Sequence, residues 1–317
     1  MSRAIVIVAD LQAASASATL RELAARARQL NTSAAVNVTI ALGSSAFDTL
    51  ALTDRRPQGL TVMPSFPGDV LTPHRANTDL LIQIEADTEA KASSATATLI
   101  AGLPGLEVSW TAIGHRPENH TDRGRALTRN QFGFLEGFAN PTSQATPSAD
   151  DLTLIRPGDA PDWAVGGSYL AARVIQLAQE LWDRDSVDTQ ERIIGRRRDG
   201  AWLDGTPADA DPDFAADPDG DLTPLDAHVR RAHPRDGQPA PPLTRRSWTY
   251  TSDRDDITPN TGVLFMCYQR DLADGFEVVQ QRMEGQALDL YLLTVGGGYY
   301  IVPPAGQDRW EDTLLAP

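Results

Sequence analysis

The chain has 317 residues, 41% hydrophobic and 22% charged, and 28 Lys and Arg stand against 43 Asp and Glu for a formal net charge of −15. So acidic a chain repels phosphate backbones and anionic lipid, which argues against nucleic acid or a membrane surface as partner. The length suggests two domains, each with its own core, and a lone cysteine, Cys267, excludes an intramolecular disulfide.

In chain order, residues 4–8 read as a strand and 18–30 as an amphipathic helix rich in Ala, Leu, Arg and Glu. Residues 36–42 and 79–85 read as strands, 88–100 as an Ala-rich helix capped by Thr88, and 106–112 as a strand. The order strand, helix, strand, strand, helix, strand predicts a ferredoxin-like unit. Ile5-Val6-Ile7-Val8 is too short for a signal-peptide core, and no window approaches ~18 uninterrupted apolar residues, so a cytoplasmic protein is expected. Residues 114–151, with Gly133, Gly137, Asn140 and Pro141, read as a long irregular loop, a common place for function.

The pattern then restarts. Residues 167–174 read as a strand and 185–195 as a helix. Residues 207–226 carry seven Asp and four Pro and predict a solvated excursion. Strands follow at 263–269 and 299–304, with a helix at 275–283 between them. The division expected is 1–155 and 156–317. Cys267, within Leu264-Phe265-Met266-Cys267-Tyr268, reads as a small hydrophobe on a strand, with a nucleophile as the rival.

The five histidines, His74, His115, His120, His228 and His233, form no HExxH pair, and no Walker A or GxSxG sequence occurs. The densest ionic segment is Asp226-Ala227-His228-Val229-Arg230-Arg231-Ala232-His233-Pro234-Arg235, followed by Arg245-Arg246. It reads either as a solvated turn or as a histidine ligand beside cations that neutralise carboxylates on a cofactor.

This segment is similar to the haem-ligand region of the dye-decolorising peroxidases. Gly133-Phe134-Leu135-Glu136-Gly137-Phe138-Ala139-Asn140-Pro141 resembles that family's GxxDG signature and trailing NP, with Glu136 in place of Asp. Gly166-Gly167-Ser168-Tyr169-Leu170, Trp182-Asp183, Glu191-Arg192-Ile193-Ile194-Gly195-Arg196 and Gly296-Gly297-Gly298-Tyr299-Tyr300 match in order and spacing. The Asp-rich excursion resembles the branch of bacterial deferrochelatase-type members, which often carry a twin-arginine leader; none is visible here.

The resemblance implies an α+β fold of two ferredoxin-like domains, with antiparallel sheets packed against helices and haem b in the second domain facing the first. It implies hydrogen peroxide as oxidant, with dyes, phenolics or other one-electron donors as reductant through a ferryl intermediate, and it admits a homo-oligomer. It carries His228 over as the iron ligand, Arg245 as the distal arginine, Arg196 as a propionate partner, and Asp289 as the carboxylate that orients the ligand. His233 is the rival ligand. Neutral imidazole is an axial ligand for haem iron, and a carboxylate on its second nitrogen fixes the tautomer and raises its donor strength. A permanently charged arginine stabilises developing negative charge on peroxide, and a carboxylate moves its proton. Glu136 reaches about 1.5 Å further than Asp, and a misplacement of about 1 Å costs on the order of 100-fold, so slower peroxide activation is expected. Ser247 lines the distal pocket or packs in a turn, and Trp248, Tyr250 and Tyr268 read as core packing or as an electron relay. The rival functions are a non-catalytic haem-binding or haem-handling protein and a domain that has lost haem and serves as an interaction module.

Overall fold

The computed structural model describes the chain except residues 33–34, 117–118, 123–124, 142–144, 146, 235–239, 252–260, 306–308 and 317, and describes only the backbone of 119–122, 125–126 and 251. Arg235 and the side chain of His120 therefore lie outside the described residues.

The first half runs β1 (Arg3–Leu11), α1 (Ala16–Asn31), β2 (Val36–Gly43), α2 (Ser44–Thr49), β3 (Leu80–Ala86), α3 (Glu89–Ile100) and β4 (Leu106–His115). Its strands are antiparallel in the order β4-β1-β3-β2. Thr88 caps α3, its side chain accepting the Lys91 N–H at 3.3 Å. β1 reads as an unbroken apolar run because both its faces are covered. Ile5, Ile7, Ala9 and Leu11 pack with α1 and α3 through Leu20, Leu23, Ala92 and Leu99. Ala4, Val6 and Val8 point the other way, against Trp110, Trp248, Tyr250 and Tyr300.

The segment expected to be a loop instead carries a small antiparallel sheet, β5 (Asn119–Asp122), β6 (Arg125–Arg129) and β7 (Leu135–Glu136). Its turn residues Phe132 and Phe134 are buried against Trp182, Tyr291, Leu177 and Leu288 of the second half, with Phe132 stacked on Trp182 at 4.3 Å between centroids. The glycines and short strands hide this sheet from a periodicity reading. After α4 (Ala149–Thr153), the second half runs β8 (Ser168–Leu177), α5 (Gln179–Trp182), α6 (Val187–Ile194), α7 (His228–Ala232), β9 (Leu243–Arg245), β10 (Trp248–Thr251), β11 (Thr261–Gln269), α8 (Val278–Arg282), β12 (Leu292–Val302) and α9 (Trp310–Leu314).

The two halves share one nine-stranded sheet, because β12 pairs with β2 and β10 with β4. β10 also pairs with β11, so eight strands close on themselves around the Trp110–Tyr250 core while β9 continues along the edge of β11 beyond β10. β12 begins seven residues earlier than its aromatic end suggests, through Gly296-Gly297-Gly298. Gly297 has φ 133° just after a register shift between Thr294 and Gly296, and a Cβ there would lie 2.1 Å from the Ala172 carbonyl oxygen, so only glycine continues the strand.

The Asp-rich excursion is exposed over much of its length but is pinned at Asp217. This buried carboxylate accepts the N–H groups of Leu222 and Thr223 and meets the Arg230 guanidinium of α7 at 2.8 Å. The N–H of Thr223 first, then Leu222 and Arg230, hold the Asp217 carboxyl below the usual carboxylate range. Its contribution is present above the ordinary carboxylate pKa and is lost as pH falls through the lowered value. Asp217→Ala should lower unfolding stability by about 3 kcal/mol in urea titrations, because it strands a buried guanidinium. An unchanged midpoint at neutral pH would remove Asp217 as the anchor of α7.

Candidate active site

Glu136 ends the small sheet, opposite Thr128. The preceding turn is closed by Gly133 N–H to Asn130 O (3.0 Å) and Asn130 N–H to Phe134 O (2.9 Å). Asn130 Oδ1 accepts the Phe134 N–H at 3.0 Å, which leaves its amide nitrogen to donate to the Glu136 carboxylate. Burial pushes the Glu136 carboxyl above its ordinary value, against the opposing pull of Arg245, Arg116 and the Asn130 hydrogen bond.

Arg245 and Arg246 lie where β9 gives way to β10. Strand alternation sends them to opposite faces. Arg246 shares the inner face of Trp248 and Tyr250, where it lies over Trp248 (5.1 Å) and pairs with buried Glu85 at 2.6 Å. There it lines a cavity of about 500 Å³ with Gln83, Thr39 and Tyr268. Arg245 takes the outer face and acts electrostatically on both Glu136 and His228.

His228 opens α7. Its Nδ1 lies 2.6 Å from Gln286 Oε1, and Gln286 Nε2 donates to Asp289 Oδ1 at 2.9 Å. The order of these contacts settles the tautomer. A carboxylate only accepts, so Asp289 takes the amide NH₂ and turns the amide oxygen toward the imidazole. Nδ1 must then carry the proton, and Nε2 keeps a lone pair that no described residue engages. Burial, with Arg245 adding to it, holds His228 below its ordinary pKa despite the opposing Gln286 and Asp289, which favours the neutral imidazole that metal ligation requires. Asp289 thus reaches His228 through Gln286, a residue sequence reasoning missed. A glutamine 58 positions away gives no local signal. Asn130 and Arg116 were missed for the same reason.

His233, at the far end of α7, packs edge-on to Phe214 (5.2 Å) and Trp202 (6.2 Å), with Nδ1 near Pro234 O. Arg196 donates to the carbonyls of Gly200 (2.6 Å) and Ala208 (3.2 Å), and lies over Trp202 at 3.6 Å and Phe138 at 5.4 Å. It therefore joins the excursion to the Glu136 loop through Phe138. His74 meets Arg75 at 3.2 Å, and His115 ends β4. The guanidinium groups of Arg116 (5.7 Å) and Arg246 (5.1 Å) both lie over the Trp248 ring. Tyr250 is fully buried, its hydroxyl pushed up to about 12 by burial. Cys267 is buried on β11, its thiol raised to about 12 by burial. Ser247 is partly buried between the two short strands.

Among the described residues no cluster of three His, Cys, Asp or Glu could hold a bare metal ion. One imidazole lone pair is nonetheless a complete protein donor set for an iron whose other ligands are porphyrin nitrogens. The residues present therefore fit haem, with His228 as the iron ligand.

Comparison with known proteins shows the family. The model of the Dyp-type peroxidase N-terminal part matches residues 1–116, and that of the Dyp-type peroxidase C-terminal part matches residues 127–307. The chain belongs to the Dyp-type peroxidase family, a family of haem-dependent peroxidases. It is 35% identical over 280 residues to the deferrochelatases of Escherichia coli (strain K12) and Shigella flexneri, covering 86% of this chain and 66% of each relative. It thus spans just under two thirds of their length. It superposes on a DyP-type peroxidase from Cellulomonas bogoriensis with a TM-score of 0.87 at 28% identity, covering 100% of this chain and 94% of that one. For ferric DtpA from Streptomyces lividans the TM-score is 0.85 at 29% identity, covering 100% and 93%.

His228→Ala should abolish the histidine-ligated absorption spectrum after reconstitution with hemin, whereas His233→Ala should keep it. Gln286→Ala frees the imidazole to rotate and should weaken haem binding about 10- to 100-fold in a transfer assay to a haem-scavenging globin. An unchanged transfer rate in Gln286→Ala would show that the hydrogen bond does not hold the ligand.

Proposed function

We propose that the chain holds haem b through His228 Nε2 between two ferredoxin-like units, residues 1–155 and 156–317, in the second unit and facing the first. There it reduces hydrogen peroxide to water with electrons from a dye, a phenol or another one-electron donor. The single observation that carries this reading is the His228 imidazole held at Nδ1 by Gln286 (2.6 Å), with Nε2 engaged by no described residue; Arg245 is near enough to bear on both that imidazole and the Glu136 carboxylate. A ligand nitrogen, a permanent cation and a titratable carboxyl thus converge on one place. The strand orders β4-β1-β3-β2 and β12-β8-β11-β9 support two units of one architecture. Bound haem would supply the redox-active iron.

The remaining chemistry belongs to the chain. His228 Nε2 holds the iron while Gln286 fixes the ring. The Arg245 guanidinium stabilises negative charge as the O–O bond breaks. Glu136 takes a proton from one peroxide oxygen and returns it to the other, so that the departing group leaves as water. Asn130 keeps the carboxyl oriented. Arg196 supplies the cation for a haem propionate. With Glu in place of Asp, the acid is held on a longer and looser arm, which slows this transfer.

Stopped-flow absorbance of the haem-loaded protein with equimolar peroxide tests the reading. Wild type should change spectrum, and Glu136→Asp should do so faster. The rate constant should fall on acidification with a midpoint above the ordinary glutamate value, since the carboxylate must be free to take a proton, and Glu136→Gln should lack that dependence. An unchanged ferric spectrum in wild type would leave haem binding or handling as the function. Equal rates for Glu136→Asp, Glu136→Gln and wild type would remove Glu136 from the reaction.

A further inference from the structure

The two arginines at 245 and 246 are chemically identical, yet only one faces the site. Arg246 N–H donates to Met266 O at 2.9 Å, which makes 246 and 266 a hydrogen-bonded pair across β9 and β11. In an antiparallel ladder such pairs alternate with pairs whose backbone groups point away. Arg245, opposite Cys267, is of the second kind. Its N–H and C=O point out at the free edge of β11's neighbour, in the phase of Thr249, whose outward groups pair with His115 of β4. β4 has ended by this level, so Arg245 lacks a strand partner.

The Asn140 side chain takes that place. Its Oδ1 accepts the Arg245 N–H at 3.0 Å, and its Nδ2 donates to the Arg245 C=O at 2.7 Å. A primary amide has one acceptor and one donor side by side, the spacing of a strand's own peptide group. Asn140 is set for this role by its local chain. Its N–H closes a turn onto Gly137 O at 3.1 Å, and Pro141 restricts the backbone before it to extended conformations. The turn begins one residue after Glu136.

We propose that Asn140 is a positioning residue that acts through Arg245: it completes the edge strand, selects Arg245 over Arg246 for the site, and ties the cation to the loop that carries Glu136. The Glu85–Arg246 ion pair opposes the same slip from the inner face. A shift of one residue would exchange the two arginines, and even a misplacement of about 1 Å would cost on the order of 100-fold in rate. The proposal rests on the peroxidase reading for its effect on rate, but the hydrogen bonds themselves do not.

Three readouts test it on the full chain. Hydrogen exchange at the Arg245 amide should be slow in wild type and at least tenfold faster in Asn140→Ala, with or without haem. In the haem-loaded protein Asn140→Ala should slow the peroxide-induced spectral change 10- to 100-fold. It should also weaken fluoride binding to ferric haem, which depends on a distal hydrogen-bond donor. Asn140→Asp, which keeps the acceptor but not the donor, should fall between the two. In an Arg245→Ala background, Asn140→Ala should have no further effect on rate or fluoride affinity. Equal losses in both backgrounds would overturn the proposal, as would an Arg245 amide equally protected in Asn140→Ala. A wild type inert to peroxide, with the exchange and fluoride results as expected, would sink the peroxidase reading and leave the positioning role standing.

Discussion

β10 hydrogen-bonds to β4 along one edge and to β11 along the other, and this double pairing draws two four-stranded halves into one closed sheet. Trp248 and Tyr250 on β10 fill the interior against Trp110, so closure and core formation are one event. Because β10 is short, the chain just before it runs on as β9 beyond the reach of β4. That overhang carries Arg245. The site arginine is therefore placed by a strand that the closed sheet leaves incomplete, and its unpaired peptide is answered by an amide side chain from another part of the chain.

The opposite wall of the site depends on packing of another kind. α7 is only five residues long and could not stand alone in water. It is held by Arg230 reaching into the Asp-rich excursion, where Asp217 and the Thr223 carbonyl receive it. The excursion that composition marks as solvent-exposed thus has a buried anchor, and the anchor steadies the short helix that begins with His228. The hydrogen-bonded series Asp289, Gln286, His228 then fixes ring orientation and tautomer, which leaves the imidazole set in advance for the role proposed for it.

Charge explains a further division of labour. The chain is strongly acidic overall, yet Arg245, Arg116 and Arg246 gather around Glu136, Glu85 and Trp248. Hydrogen peroxide is neutral and does not feel the long-range repulsion, whereas anionic donors do. Inside, Arg245 and Arg116 oppose the rise that burial imposes on Glu136. Two guanidinium groups over Trp248 disfavour a positive hole on that indole, which speaks for its role in packing rather than in carrying electrons.

Much of this was legible in the sequence. Consecutive residues carry the periodicity that separates β1, β3 and β11 from α1 and α3, and Thr88 announces the start of its helix. The resemblance of the motifs around them made His228, Arg245 and Glu136 candidates, and turn residues marked the loop around Gly133 and Gly137. Other features are properties of pairs far apart in the chain. Nothing near Arg245 says which of two arginines faces the site; that follows from its phase against Cys267 and from Asn140, 105 positions away. Nothing near His228 names Gln286, and short strands such as β7 and β9 have too few residues to show a period. The sequence by itself determined where the long strands and helices form and which chemistry is available. The tertiary structure alone decided which groups meet, because register and closure are set by hydrogen bonds between strands that local pattern does not encode.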